Sequence, residues 1–561
     1  MHTYGHTRRL IALDLPLALF LLSAILGQWP AYDRTLCWNT RAALVAGFLL
    51  YALVSRLATS HAWWRAIAVG LVLTGVLLSL YFVTQYGHFG YPAKVGAIDR
   101  LGALIGRIVP PAVFWVPVDN SVATYLEGLL FLAVALTLAA ERPAWRVAGS
   151  LGAGLIGLAL LISTSRGAWL AVLVAAALWV ALYWRPARVA VILGALLSLA
   201  LAIYVIACRD VTVLGDIPIV DRTLAPLFIR PDRLQVYRNS VYLIQDFPLT
   251  GIGLGGQFAM VLSQYALLIR VPFLTYSHNL YLEVWLQQGL LGAVSWLWLI
   301  VALYQAARTH AKSGTDFLYQ GTWLGLTAVF MHGLTDARQY EDLWCWVPFF
   351  GLLGLNAAIQ LRRAPAVSPG RRWLLPAAVV GVFLAVVFVS LHPLQATWHA
   401  NLGCVHHARA DLLESLDDRW QANLRQQANL RQQAADHYRR AVAIDPHDRT
   451  ARQRLGLMRM EENRFDEAVE HLEIAWQADP ANTTTHKALG LAYVWVGELE
   501  KAQPLLQDVP GIVQELNTWA WWRGTQGQMA QSINAYRTSL ILDPAQPAVQ
   551  EKLDQLEREL E

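Results

Sequence analysis

Several arginines, a run of glycines and one histidine share a polar segment of about 75 residues, Cys208 to Glu283, set between long apolar runs. Among the arginines are Arg222, Arg230, Arg233 and Arg238, the glycines lie in Gly251-Ile-Gly253-Leu-Gly255-Gly256, and the histidine is His278. An arginine presents a planar, permanently charged fork that binds anionic oxygen. A histidine ring takes up a proton near neutral pH, as a general base must. Holding an anion and removing a proton are therefore the chemistry these residue types can do. The glycine run also spells the dinucleotide fingerprint G-x-G-x-x-G, but that motif works only between a strand and a helix of a βαβ unit. That context is missing here, and the glycines read as a flexible turn that lets backbone approach helices or a lipid headgroup.

The elements that must position this segment are apolar. With 56% hydrophobic residues, 15% charged residues and 23 Trp in 561 positions, the chain reads as a polytopic membrane protein. Eleven runs are long enough to cross a bilayer as helices: about 12–29, 42–58, 64–85, 120–140, 144–163, 167–184, 187–207, 284–307, 319–335, 343–361 and 373–391. Basic residues beside spans are retained on the cytoplasmic side. With a cytoplasmic N-terminus the inner turns carry Arg8 and Arg9, Arg56 and Arg65, Arg142 and Arg146, Arg185 and Arg188, Arg308 and Lys312, and Arg362, Arg363, Arg371 and Arg372. The polar segment and everything after Leu391 then face outward. A net charge of +4 is largely explained by those turns and gives no support to nucleic-acid binding. Cys37, Cys208, Cys345 and Cys404 have no metal-ligand spacing and read as structural.

After about Trp398 charged amphipathic helices replace the apolar runs, and a period appears. Asp445-Pro446 recurs as Asp479-Pro480, Leu455-Gly456-Leu457 as Leu489-Gly490-Leu491, and Ala468 as Ala502, each displaced by 34 residues. That period, with small residues where paired helices touch, resembles the tetratricopeptide repeat. About three repeats with flanking helices are expected to stack as an α-solenoid that binds a protein partner or caps the membrane domain. The tract Gln421 to Gln433 duplicates a six-residue unit and reads as a helix or linker. The expected organisation is all-α, with about 11–12 spans. Residues 1–394 form the membrane domain with a large loop at about 208–283, residues 395–433 a helical linker, and residues 434–561 the repeat domain.

The polar segment contains, in order, Arg233-Leu-Gln-Val-Tyr237, Phe247-Pro248-Leu-Thr-Gly251-Ile-Gly253-Leu-Gly255-Gly256-Gln-Phe258, Ser277-His278-Asn279-Leu-Tyr281-Leu-Glu283 and Gln288-Gly289-Leu-Leu-Gly292. With Ser165-Arg166-Gly167 at a helix end, this order resembles the O-antigen ligase and polymerase family of membrane glycosyltransferases over about residues 10–390. The resemblance implies transfer of a glycan from a polyprenyl-pyrophosphate donor to an acceptor hydroxyl of a glycan, lipid or protein, outside the cytoplasm. It implies inversion at the anomeric carbon, with no metal and no cofactor. Arg166 and Arg233 would hold the pyrophosphate, with Arg238 in reserve, and His278 would take the acceptor's proton. The alternatives are a snorkelling charge for Arg166, a solvated loop charge for Arg233, and an interfacial histidine that with Asn279 only caps a helix.

Two acids complete the candidates. Glu127 lies inside a span, where a carboxylate is costly and faces protein; it is expected to pair with Arg166 or to line the acceptor path. Asp336, in His332-Gly-Leu-Thr-Asp336, either orients His278, contacts sugar, or is merely a helix-end acid. Ligase, polymerase and protein O-oligosaccharyltransferase members share this layout. A lipid-linked glycan flippase and a membrane-anchored scaffold are the rivals from other classes.

Overall fold

Backbone in a bilayer satisfies its polar groups internally, so apolar runs of this length become helices. The computed structural model describes residues 12–58, 60–92, 94–194, 231–267, 274–310, 316–363, 369–391, 393–413 and 420–560. No strand occurs among them. They fall into two compact units: Met1–Ile244 with Thr250–Ala259 and Phe273–Ala385, and Gln245–Leu249 with Met260–Pro272 and Val386–Glu561.

The first unit contains α1 (Asp14–Leu26), α2 (Cys37–Leu57), α3 (His61–Gln85), α4 (Gly96–Ile108), α5 (Asp119–Leu138), α6 (Pro143–Ile162) and α7 (Arg166–Tyr183). These are followed by most of α8 (Pro231–Asp246), then α9 (Leu280–His310), α10 (Phe317–His332), α11 (Trp346–Arg363) and the start of α12 (Pro369–Ser390). Ten of the eleven expected runs fall on these helices; the run 187–207 lies largely outside the described residues. Six helices among the described residues are long and apolar enough to cross a membrane, within Cys37–Leu57, His61–His88, Asp119–Leu138, Pro143–Ile162, Leu280–Ala307 and Leu343–Arg362. Two shorter apolar helices, Asp14–Leu26 and Arg166–Ala181, lie among them.

Two devices set the helix geometry there. Gly128 of α5 and Gly325 of α10 meet backbone to backbone, a contact that no Cβ would fit and that small residues permit between membrane helices. Helix α9 is broken at Gly289, whose φ of 65° and ψ of −163° are not helical. The break frees the carbonyl of Leu286, which accepts from the Ile252 amide at 2.6 Å. The glycine run is thus a packed plug rather than a flexible turn. Gly251, Gly253 and Gly255 all have positive φ, and their missing Cβ atoms would strike Leu286, Ala31 and Leu36 respectively. Helix α4 was not anticipated. It packs Ile98 and Gly102 inward and leaves Leu104 and Ile108 exposed, the pattern of a helix lying along a membrane surface.

In the second unit, α13 (Leu394–Leu412) and α14 (Trp420–Ile444) precede three helix pairs and a terminal helix. The pairs are α15 (Arg449–Glu461) with α16 (Phe465–Ala478), α17 (Thr483–Val496) with α18 (Leu499–Leu506), and α19 (Ile512–Thr525) with α20 (Met529–Leu542); α21 (Pro547–Leu560) follows. The small residues sit where the period requires them. A Cβ on Gly456 would lie 2.6 Å from Leu472, one on Gly490 2.6 Å from Leu506, and Ala468 and Ala502 are fully buried.

Candidate active site

Strands of sequence far apart meet where α10 ends. Helix α10 stops at His332, and the following residues, Gly333 to Asp342, form a polar rim. The Leu280 amide donates to the Gly333 carbonyl at 2.7 Å, and Asn279 Nδ2 donates to the Leu334 carbonyl at 3.0 Å. Asn279 Oδ1 also accepts from the amides of Tyr281 and Leu282 at 3.0 and 3.1 Å, so it caps α9 as Asn does. Its neighbour His278 is thereby fixed against the rim. The buried carboxylate of Glu283 supports this by accepting from the Ser277 amide at 2.8 Å and from Gln287 Nε2 at 2.7 Å.

His278 has a φ of 55°, a left-handed conformation that a non-glycine residue adopts at a cost. Its Nδ1 is buried and makes no hydrogen bond among the described residues. Its ring lies 4.1 Å, centroid to centroid, from Tyr276, and its carbonyl accepts from Tyr237 Oη at 3.0 Å. Burial pushes its pKa down to about 4; Asp336 pulls it up, while Arg233 and Arg338 add to the depression. The imidazole is accordingly neutral near pH 7.

Arg233 and Tyr237 are four residues apart on α8 and share a face. Arg233 Nη1 donates to the Thr335 carbonyl at 2.8 Å. Arg238, about 140° round the helix from Arg233, is exposed. Arg166 opens α7, where the helix dipole disfavours a cation and both together attract an anion. The residues on either side of it face the rim: Ser165 Oγ lies 3.5 Å from His332 Nε2, and Gly167 is pressed against Thr335 and His332. Thr164, just before, is a second strained non-glycine residue with φ 54°.

Asp336 is buried, and Asn120 Nδ2 donates to it at 2.8 Å. Burial raises its pKa, but His332, Arg338, His278 and Arg233 outweigh that and hold the carboxylate below its ordinary value. Arg338 lies 3.9 Å from Asp336 and 3.8 Å from Asp342, with its guanidinium 4.9 Å over the Tyr276 ring. Glu127 is fully buried on α5 and lies 2.9 Å from His332 Nδ1. His332 is thus a partner of Glu127 across α5 and α10, two helices that also meet at Gly128 and Gly325.

The structure therefore brings His278, Asn279, Arg233 and Asp336 into one cluster, with Arg166 and Glu127 joined to it through Thr335 and His332. Arg238 is turned away. Tyr237, Tyr276, His332, Arg338 and Glu283 are members that sequence reasoning did not select. Cys37, Cys345 and Cys404 are buried and unpaired, and Cys208 lies outside the described residues.

The family model for O-antigen ligase matches residues 151–297. Over that stretch the chain is similar to O-antigen ligase. The matched stretch includes Arg166, Arg233, His278, Asn279 and the Gly289 break; Glu127, His332, Asp336 and Arg338 lie outside it. A tetratricopeptide repeat model matches residues 459–518, from the end of α15 into α19. No curated protein matches the chain. An O-antigen ligase domain among membrane-length helices supports glycan transfer at a membrane as the general function, with a lipid-linked glycan as the class of substrate and a repeat domain of a protein-binding kind.

Proposed function

We propose that the protein transfers a glycan from a polyprenyl-pyrophosphate donor to an acceptor hydroxyl, with inversion, at the outer face of a bacterial inner membrane. The observation that carries this reading is the convergence on one rim of His278, held with a free buried ring nitrogen, and the arginines Arg233 and Arg338. A buried histidine nitrogen with no hydrogen-bond partner among the described residues is unusual for a structural role.

In the proposed reaction the acceptor oxygen attacks the anomeric carbon from the face opposite the pyrophosphate. The glycosidic bond to phosphate breaks, and its electron pair leaves on the phosphate oxygen. His278 takes the hydroxyl proton, a contribution of roughly 10²–10⁴-fold. Arg233 and Arg166 hold the charge that grows on the leaving pyrophosphate. Asn279 and Glu283 position His278, and Asp336 balances the cations. No metal enters the scheme.

The distribution of Arg and Lys among the turns supports a cytoplasmic N-terminus with the rim outward. The organisation we propose is a membrane glycosyltransferase domain over residues 1–394, a linker over 395–433 and a repeat domain over 434–561 that recruits an acceptor or an assembly partner.

The test is transfer of a labelled glycan from polyprenyl pyrophosphate by the purified protein in lipid, with and without EDTA, against glycan, lipid and protein acceptors. Transfer that resists EDTA and is lost in His278→Ala is the expected result. Donor that crosses the bilayer with no transfer to any acceptor would replace this reading with a flippase.

A further inference from the structure

The end of the bundle away from the rim holds a groove of about 900 Å³ between α3, α5 and α6, within the size range of ligand sites. Its sequence origin is a set of small residues, Ala133, Ala140, Ala148 and Gly152, that leave room where larger side chains would close the helices. Val69, Leu73 and Leu155 make its walls apolar. The groove ends where Gly75 lets α3 close on Leu129 and Ile156.

Length and charge identify the occupant. From Arg65 to Val76, both lining residues, α3 rises about 16 Å. One leaflet of hydrocarbon is about 15 Å deep. A helix from a partner or a second copy would need a groove running the whole bilayer, and this one stops halfway. Its polar end is cationic: Arg65 and Arg142 line it against the single acid Glu141. Arg65 Nη2 reaches the Ala139 carbonyl at 3.5 Å, which keeps its guanidinium at the mouth. Trp145, 62% exposed, flanks the mouth at the level where amphipathic rings meet headgroups.

We infer that this groove binds one anionic glycerophospholipid, its phosphate on Arg65 and Arg142 and an acyl chain between α3, α5 and α6. The site is separate from the rim, since Asn120, which contacts Asp336, begins α5 and Ala139 follows its other end.

Native mass spectrometry of the delipidated full-length protein, titrated with phosphatidylglycerol or with phosphatidylcholine of the same chains, tests it. Phosphatidylglycerol should bind more tightly by about fivefold for each arginine, and Arg65→Gln with Arg142→Gln should bring it to the phosphatidylcholine level. Ala148→Phe, at an exposed position in the groove, should weaken both lipids while the lipid-free melting temperature stays put. Equal binding of the two lipids by the wild type would overturn the inference, as would a preference that survives removal of both arginines. A dimer mass abolished by Ala148→Phe would assign the groove to a second copy instead.

Discussion

Tyr237 Oη donates to the main-chain carbonyl of His278 at 3.0 Å, so a side chain from α8 holds the one strained histidine of the rim by its backbone. That bond spans 41 residues and links the arm that carries Arg233 to the residue proposed as base. Tyr237→Phe keeps the ring and deletes the bond. A single hydrogen bond of this kind contributes about 1 kcal/mol to stability, so the melting temperature should move little. Turnover should fall by roughly tenfold, because a base displaced by a fraction of an ångström loses its geometry. Stability loss that matched the activity loss would reduce Tyr237 to a structural tie.

Arg233 and Arg238 provide an internal control. Both are cations on α8, but only Arg233 reaches the rim. Arg233→Ala should reduce transfer by at least roughly 10²-fold, the scale of removing one group that stabilises developing charge. Arg233→Lys should recover only part of that, since an ammonium lacks the planar fork. Arg238→Ala should stay within about twofold of the wild type. Steady-state transfer at fixed donor concentration checks all three.

The pH dependence has a definite sign. His278 in the free protein is pushed down to about 4, so kcat/KM should stay level through neutral pH and fall only as pH drops toward that value. Donor pyrophosphate would offset Arg233 and Arg338, so the acid limb of kcat should lie at higher pH than that of kcat/KM. Arg338→Leu should shift the kcat/KM limb upward for the same reason. For folding, a ring whose pKa is depressed in the native state contributes stability that is complete above the unfolded value, near 6.5, and is lost as pH falls through about 4. His278→Asn should remove that part of the acid destabilisation.

The helices and the repeat were legible in the sequence because each depends on local pattern. Apolar runs mark spans by length alone, and the 34-residue period places Gly456 and Gly490 where the helices of a pair touch. The rim was legible only as a list of residue types. Arg233 meets Thr335 across 102 residues, and no local pattern encodes such a contact. Arg338 stands among Asp336, Glu341 and Asp342, which reads as a solvated charge cluster until the fold buries Asp336 beside His278. Gly289 was legible as part of an ordered motif but not as a helix break, because the partner that satisfies the freed Leu286 carbonyl comes from Ile252.

The glycine plug makes a prediction that separates its members. Gly251, Gly253 and Gly255 have positive φ and no space for a Cβ, so Ala at each combines backbone strain with a clash. The cost should be on the order of 2–4 kcal/mol apiece. A Cβ on Gly256 would meet no atom of the described residues within 4 Å, and its φ is not positive. Gly256→Ala should be neutral or stabilising by up to about 1 kcal/mol. Thermal unfolding of the four variants in one detergent decides it; a uniform response would mean that the run acts as a flexible linker after all.

Within the second unit, Asp246 is held by Arg454 at 2.7 Å and by Arg449 at 2.9 Å, while Thr450 Oγ1 donates to it at 3.0 Å. Arg454 also lies 3.6 Å over the Tyr265 ring and donates to the Tyr265 carbonyl at 3.0 Å. Residues Gln245–Leu249 and Met260–Pro272, the two stems of the glycine plug in sequence, thus belong to the same unit as the repeats. Arg454→Met leaves a buried carboxylate short of one partner and should cost about 3–5 kcal/mol. Adding Asp246→Leu should recover much of that, because it removes the uncompensated charge. Burial raises the pKa of Asp246, but Arg449 and Arg454 outweigh it and hold it below its ordinary value. Its contribution to stability is therefore present above about pH 4 and lost as pH falls through the native value. In Arg454→Met, with less charge to hold the acid down, acid unfolding should begin at higher pH. Hydrogen exchange across α15 and α16 as a function of pH reads both effects, and an unchanged acid midpoint would show that the pair carries no linkage.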